Sequence, residues 1–173
     1  MANSLLEFDE VQKDYRIRSF GRVIRTTKAL NKLSFKVAKG QIFGFLGPNG
    51  AGKTTAIKCI TGILKSDAGT IRIEGENIEN NSFGNKNKIG FLPEQIGLYG
   101  NLNCMETLSF YAGFYNLTTE TIEKRSTELL QLLGLAKDSK RPVGEFSLGM
   151  KKRLALSIAL LQQPQILVLD EPT

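Results

Sequence analysis

Gly47-Pro48-Asn49-Gly50-Ala51-Gly52-Lys53-Thr54 decides how the 173-residue chain is read. The stretch fits G-x-x-x-x-G-K-[ST], and its flanks are those the pattern needs. Gln41-Ile42-Phe43-Gly44-Phe45-Leu46 precedes it, an apolar run of strand length. Thr55-Ala56-Ile57-Lys58-Cys59-Ile60 follows, helix-compatible and closed by Gly62. Strand, glycine loop and helix together make a phosphate-binding P-loop. Gly47, Gly50 and Gly52 allow positive φ and close backbone approach, so that successive N–H groups turn inward around an anion. The helix beginning there adds its positive end and its unpaired amides. Lys53 then reaches the β- and γ-phosphates, and the Thr54 hydroxyl takes a place on Mg²⁺. The nucleotide-binding set is thus Gly47, Pro48, Asn49, Gly50, Ala51, Gly52, Lys53, Thr54 and Thr55.

Hydrophobic residues make up 41% of the chain and charged residues 23%. That balance suits a globular protein with one cored domain, or a lobe and a small subdomain. The 23 Lys and Arg exceed the 17 Asp and Glu by six, which suits an anionic ligand, an anionic membrane surface or nucleic acid. The basic residues are spread, with small groups only at Arg16 to Lys28 and Lys151 to Arg153. No run of five like charges occurs, so no nucleic-acid partner is expected. With two cysteines, Cys59 and Cys104, and no histidine, neither a zinc site nor a disulfide framework is indicated. Both cysteines read as small buried hydrophobes in a reducing cytosol. No signal peptide is indicated, and no apolar run approaches the roughly 18 to 20 residues that span a bilayer.

Leu5 to Val11 and Leu30 to Val37 read as strands, the second alternating through Leu33, Phe35 and Val37. Between them Tyr15 to Arg25 is basic with two aromatics and a central glycine, compatible with a hairpin or an ordered loop. Thr70 to Glu74 is a short strand, Glu76 to Asn87 an asparagine-rich surface loop, and Lys88 to Leu92 a further strand ended by Pro93. Helical spacing then dominates: Leu102 to Tyr115, Thr121 to Leu133 with Gly134 as its stop, and an apolar helix through Leu154 to Leu161. Gln165 to Leu169 is uniformly apolar and reads as a parallel strand buried on both faces.

That last strand delivers Asp170 and Glu171 to its carboxyl end, where ligands of parallel sheets collect. Asp170 suits Mg²⁺, directly or through water, and Glu171 suits a general base that polarises an attacking water. Upstream, Ser147 is a good N-cap for the helix carrying Lys151-Lys152-Arg153. A capped start with exposed amides can hold a second anion.

In order and spacing, a P-loop, a helical insertion ending in a serine-glycine cap, and then Leu169-Asp170-Glu171-Pro172-Thr173 resemble the ATP-binding cassette (ABC) ATPases over almost the whole chain. Phe146-Ser147-Leu148-Gly149-Met150 stands where the family signature Leu-Ser-Gly-Gly-Gln would be. Ser147 and Gly149 match, Leu148 replaces the first glycine, and Met150 replaces the glutamine. With Lys-Lys-Arg following, this variant is similar to the ATPase subunits of bacterial antibiotic exporters of the bacitracin-resistance type. The resemblance implies an α/β P-loop NTPase (RecA-like) parallel sheet, with an antiparallel β subdomain and an inserted α-helical subdomain. It places the β-rich and P-loop part at 1–96, the helical subdomain at 97–162 and the returning strand at 163–173.

The resemblance further implies ATP with Mg²⁺, and a homodimer in which Ser147, Leu148, Gly149 and Met150 face the ATP held by the opposite subunit. It also implies a separate transmembrane permease, and a location at the cytoplasmic face of the membrane through that partner. The expected activity is ATP hydrolysis coupled to transport, most simply export; the other readings are a non-transport ATPase acting on ribosome or DNA, or an inactive remnant. In the Q-loop, Leu92 to Tyr99, simple register puts Glu94 in the glutamine slot; Gln95, one residue on, is the better neutral ligand for Mg²⁺. Tyr15 is the candidate to stack on adenine, with Phe20 its rival. Since the family continues into a D-loop, another strand and a switch histidine, the 173 residues are expected to be an incomplete, poorly soluble and inactive cassette.

Overall fold

The computed structural model describes residues 4–80, 84, 87–115 and 117–170. Glu171, Pro172 and Thr173, with part of the asparagine-rich stretch, lie outside the described residues. Contacts divide the chain into two compact units, Met1–Lys86 and Asn87–Thr173.

In the first unit, β1 (Ser4–Ser19) and β2 (Arg22–Ala38) form a long antiparallel hairpin. On the other side of β1 lies β3 (Ala68–Ile73), followed by the two-residue β4 (Glu76–Asn77), giving the order β2-β1-β3-β4. Leu6, Phe8, Val11, Ile71 and Ile73 are buried here together with Leu30, the apolar alternation expected of a sheet with one covered face. Tyr15 to Arg25 therefore resolves as a hairpin rather than a loop. Its strands continue outward beyond the last β1–β3 pair, Gln12 with Ala68. At the base of this extension Asp67 accepts from Lys13 Nζ and from the Asp14 N–H, both at 2.8 Å. Those bonds, the backbone one foremost, hold its carboxyl below the usual carboxylate range.

At the far end Ser19 pairs with Arg22 across a turn whose central residues, Phe20 and Gly21, have φ of 47° and 77°. Two successive positive φ values define the type I′ turn that matches strand twist, and Asn-Gly is its favoured sequence. A phenylalanine in the first of these positions is a strained choice.

Helix α1 (Lys53–Ile60) follows the glycine loop and buries Ala56, Ile57, Cys59 and Ile60. The run before the loop departs from expectation. Gln41 to Leu46 belongs to no strand ladder among the described residues. Phe43 and Phe45 turn toward Phe35 of β2, at centroid distances of 4.9 and 5.7 Å, while Ile42 and Leu46 are 99% and 94% exposed. The two-residue alternation of an extended chain is present. A strand, however, is made by pairing, and apolar composition alone does not provide a partner.

In the second unit β5 (Ile89–Leu92) and β6 (Ile166–Leu169) pair in parallel, Ile89 with Ile166 through Leu92 with Leu169. Helices α2 (Cys104–Ala112), α3 (Thr119–Leu132) and α4 (Leu148–Leu160) enclose a core that includes Leu108, Leu129, Leu135, Val143 and Leu154. Each helix starts on a side-chain cap: a reciprocal Asn103–Glu106 box for α2, Thr118 for α3 and Ser147 for α4. Gly134, at φ 67°, closes α3 as expected. Expected burial of the last strand on both faces is not what is found: Leu167 and Leu169 are each 40% exposed, and their neighbours are half-buried. A run of apolar residues cannot by itself say whether both sides of a strand are covered. Gly90 lies so close to the Ala159 carbonyl of α4 that a Cβ there would collide with it.

Two predictions follow from this packing. Phe20→Asn should raise stability by about 1 kcal/mol, because asparagine tolerates the left-handed conformation that a bulky residue resists; the denaturant midpoint reads this directly. Cys59 and Cys104 are both buried, and burial pushes both thiols up, Cys104 to about 11 from 9.0. Neither should react with a thiol reagent until the chain unfolds. Since the folded state keeps these protons longer than the unfolded chain, their contribution is whole below the unfolded thiol value of 9.0 and declines as pH rises above it, for Cys104 being lost towards about 11. Denaturation midpoints across that range should decline.

Candidate functional site

The loop 47–52 crosses from the exposed run at 41–46 into α1. Gly50 and Gly52 have φ of 82° and 91°, as expected. Gly47 does not take positive φ; its role is close approach, since a Cβ there would stand 3.2 Å from Ala51 Cβ. Gly52 is the tightest position of the loop. A Cβ on it would collide with the Ala29 carbonyl of β2, so the helix start is set directly against the sheet. Pro48 and Ala51 close a turn within the loop, Ala51 N–H donating to Pro48 O at 3.2 Å.

Lys53 folds back over this turn and donates to Gly47 O at 2.5 Å and to Pro48 O at 3.0 Å. Its ammonium is thus held at the mouth of the loop by the loop's own carbonyls. Thr54 is exposed, whereas Thr55 is buried. Tyr15 is half-exposed, with its hydroxyl 3.5 Å from Thr55 Oγ1, beside the first turn of α1. Phe20 lies five residues further out along the ribbon, roughly 16 Å at the strand rise. Of the two candidate aromatics, only Tyr15 is beside the loop helix.

In the second unit, β5 and β6 bring two further predicted groups to one edge. Asp170 N–H donates to Leu92 O at 2.9 Å, so Asp170 leaves the sheet beside the point where β5 gives way to Pro93, Glu94 and Gln95. Glu94 and Gln95 are both exposed, and the geometry does not choose between them. Among the described residues no group of three or more Asp, Glu, Cys or His comes together. A magnesium ion fits such a place only as it commonly binds, through one or two protein oxygens with phosphate and water supplying the rest. Thr54 in the first unit and Asp170 in the second each carry an oxygen of that kind, and each is described within its own unit.

The signature stretch is anchored by Phe146, which is buried, and presents Ser147, Leu148 and Gly149 outward. Ser147 Oγ accepts from the Met150 N–H at 3.3 Å. As a hydroxyl it keeps its own hydrogen for an outside acceptor. A Cβ on Gly149 would meet nothing within 4 Å, so its backbone is open to approach. In the basic turn after it Arg153, though exposed, donates to Leu133 O at 3.1 Å and caps the end of α3. Only the tertiary fold could show this, since the sequence places the two twenty positions apart.

Sequence reading also passed over an aromatic patch. Tyr99, Phe110 and Phe114 are exposed and meet edge to face, with centroids 5.3 Å apart for Tyr99–Phe110 and 5.7 Å for Phe110–Phe114. Tyr111 joins them and donates to Gly97 O at 3.1 Å, tying the patch to the segment after β5. The spacing of Phe110 and Phe114 was the available signal. Among the described residues no helix is long and apolar enough to cross a membrane.

Comparison with known proteins agrees with this arrangement. The chain is 42% identical over 141 residues to the linearmycin resistance ATP-binding protein LnrL of Bacillus subtilis (strain 168), covering 82% of this chain and 45% of that protein. It is 43% identical over 148 residues to the bacitracin transport ATP-binding protein BcrA of Bacillus licheniformis, covering 84% and 47%. It thus spans about half the length of the curated relatives it matches. Among solved structures, cbiO1 from Clostridium perfringens, part of the ABC transporter complex cbiONQ, superposes with a TM-score of 0.84 at 27% identity, over 99% of this chain and 66% of that one. The fold is accordingly that of the P-loop ATPase domains of such transporters. A sequence profile described as ABC transporter matches residues 30–173, and the chain belongs to that family.

Proposed function

We propose that this chain is the nucleotide-binding part of an ATPase that drives a separate membrane-spanning protein, of the exporter kind. The observation that carries the proposal is the loop Gly47–Thr54, with Gly50 and Gly52 in left-handed conformation and a helix starting at Lys53. The linearmycin and bacitracin relatives support the exporter assignment through what their names say of them.

In this reading the loop amides and the N-terminal end of α1 hold the β- and γ-phosphates of ATP, the substrate. Lys53 exchanges its two carbonyl partners for phosphate oxygens, a stronger charge-assisted pairing. Tyr15 packs its ring against the adenine. Thr54, Asp170 and, by a one-residue shift of the loop, Gln95 would hold Mg²⁺. The ion supplies neutralisation of phosphate charge when bound. Glu171 accepts the proton of the attacking water as general base.

Ser147 and Gly149 donate to a γ-phosphate held by a second copy of the chain, with Leu148 and Met150 beside them. That arrangement makes a homodimer part of the active site. Closure then completes both catalytic centres, and hydrolysis with phosphate loss releases them. The exposed aromatic patch around Phe110 offers an apolar surface for the membrane partner. Through that partner the protein works at the cytoplasmic face of the membrane.

Two variants of the full-length protein test the assignment. Lys53→Ala should weaken MgATP binding by about tenfold or more, since a charge-assisted hydrogen bond contributes about 1.5–3 kcal/mol. Unchanged affinity in a calorimetric titration sinks the phosphate-loop role. Glu171→Gln should bind ATP normally yet lose turnover by about a hundredfold or more and accumulate an ATP-bound dimer, because only proton acceptance is lost. Hydrolysis near the wild-type rate removes Glu171 from that role.

A further inference from the structure

We propose that the outer part of the β1–β2 hairpin, residues 16–28, binds directly to a bilayer surface rich in anionic phospholipid. This goes beyond nucleotide chemistry and needs no contribution from the phosphate loop. Every residue from 16 to 28 is exposed. The stretch holds Arg16, Arg18, Arg22, Arg25 and Lys28 and no acidic residue. Among the described residues none of these five cations forms an ion pair. Ile17, Val23 and Ile24 are 52%, 47% and 64% exposed, and Phe20 at the apex is 105% exposed.

Folding does not account for that apex. Phe20 occupies a backbone conformation suited to asparagine or glycine, and within its unit no packing offsets the strain. An outlier of this kind, retained on an exposed tip, points to a use outside the fold. Interleaving gives the partner's chemistry. Arginines on both strands stand beside aliphatic residues, so their long stems can follow an apolar surface while the guanidinium groups stay at phosphate level. Such a tip suits insertion of about 5–10 Å into the headgroup boundary, with the cations drawn to an anionic leaflet. The ribbon has the reach, because strand pairing with β3 ends at Gln12 and the hairpin runs on alone to Phe20. Single-stranded nucleic acid also takes cations and aromatics, but Ile17, Val23 and Ile24 offer no ring on which a base can stack.

The chain contains no tryptophan, so Phe20→Trp makes the tip its own fluorescent reporter. With vesicles of phosphatidylcholine holding about one-third phosphatidylglycerol, the emission should shift to the blue and the chain should sediment with the vesicles. Binding should be about tenfold weaker to pure phosphatidylcholine, and should fall at high salt. Replacing Arg16, Arg18, Arg22 and Arg25 together by Gln should reduce sedimentation with anionic vesicles by about tenfold or more. Phe20→Asn, the variant expected to fold more stably, should lose sedimentation while its denaturant midpoint rises. No shift with anionic vesicles, equal binding to both vesicle types, binding unaffected by Phe20→Asn, or a shift with a single-stranded oligonucleotide in place of vesicles would each overturn the proposal.

Discussion

Helix α1 begins where it does because residue 52 has no side chain. The loop must turn through a left-handed conformation and, in the same step, lay its backbone against the Ala29 carbonyl of β2. Only glycine meets both demands. The first turn of the helix is thereby fixed against a sheet whose own core, around Phe8, Val11 and Ile73, is fully buried. The course of the loop backbone into the helix is therefore decided at residue 52 by backbone-to-backbone contact.

The phosphate loop was legible in the sequence because its chemistry dictates spacing: turn, approach, charge and hydroxyl must fall at set positions. Helix ends were legible for a similar local reason, as Ser147 and Gly134 show, since caps are solved within a few residues. Features that depend on distant neighbours were not. Gln41 to Leu46 has the composition of a strand, but its pairing is not encoded in its own residues. Leu167 and Leu169 are as apolar as Val168, yet the burial of each depends on what lies across the sheet. Arg153, one of three basic residues at the start of α4, caps α3 from twenty positions away. Glu94 and Gln95 both end up exposed after β5, so neither propensity nor position separates them.

The hairpin illustrates a different limit. Tyr15 to Arg25 mixes arginines with apolar residues in an alternation too weak to declare two strands, and its turn uses Phe20-Gly21 in place of an asparagine-glycine pair. Sequence rules describe what chains choose when folding alone is at stake. Where a tip departs from those rules and remains exposed, local consistency has been given up, and reading by propensity fails at that point.

Helix α4 is fastened at several places along its length. Arg153 ties its first half to the end of α3, Ala159 rests against Gly90, and just past its end Gln162 Nε2 donates to Ile89 O at 2.7 Å. Over 13 residues it is a strut about 20 Å long. Ser147 and Gly149 stand at its N-terminal end, and the β5–β6 pair that carries Asp170 stands at the other. A rod held in this way transmits displacement instead of absorbing it by bending. Within this unit the serine end and the strand pair are thus the two ends of one rigid element.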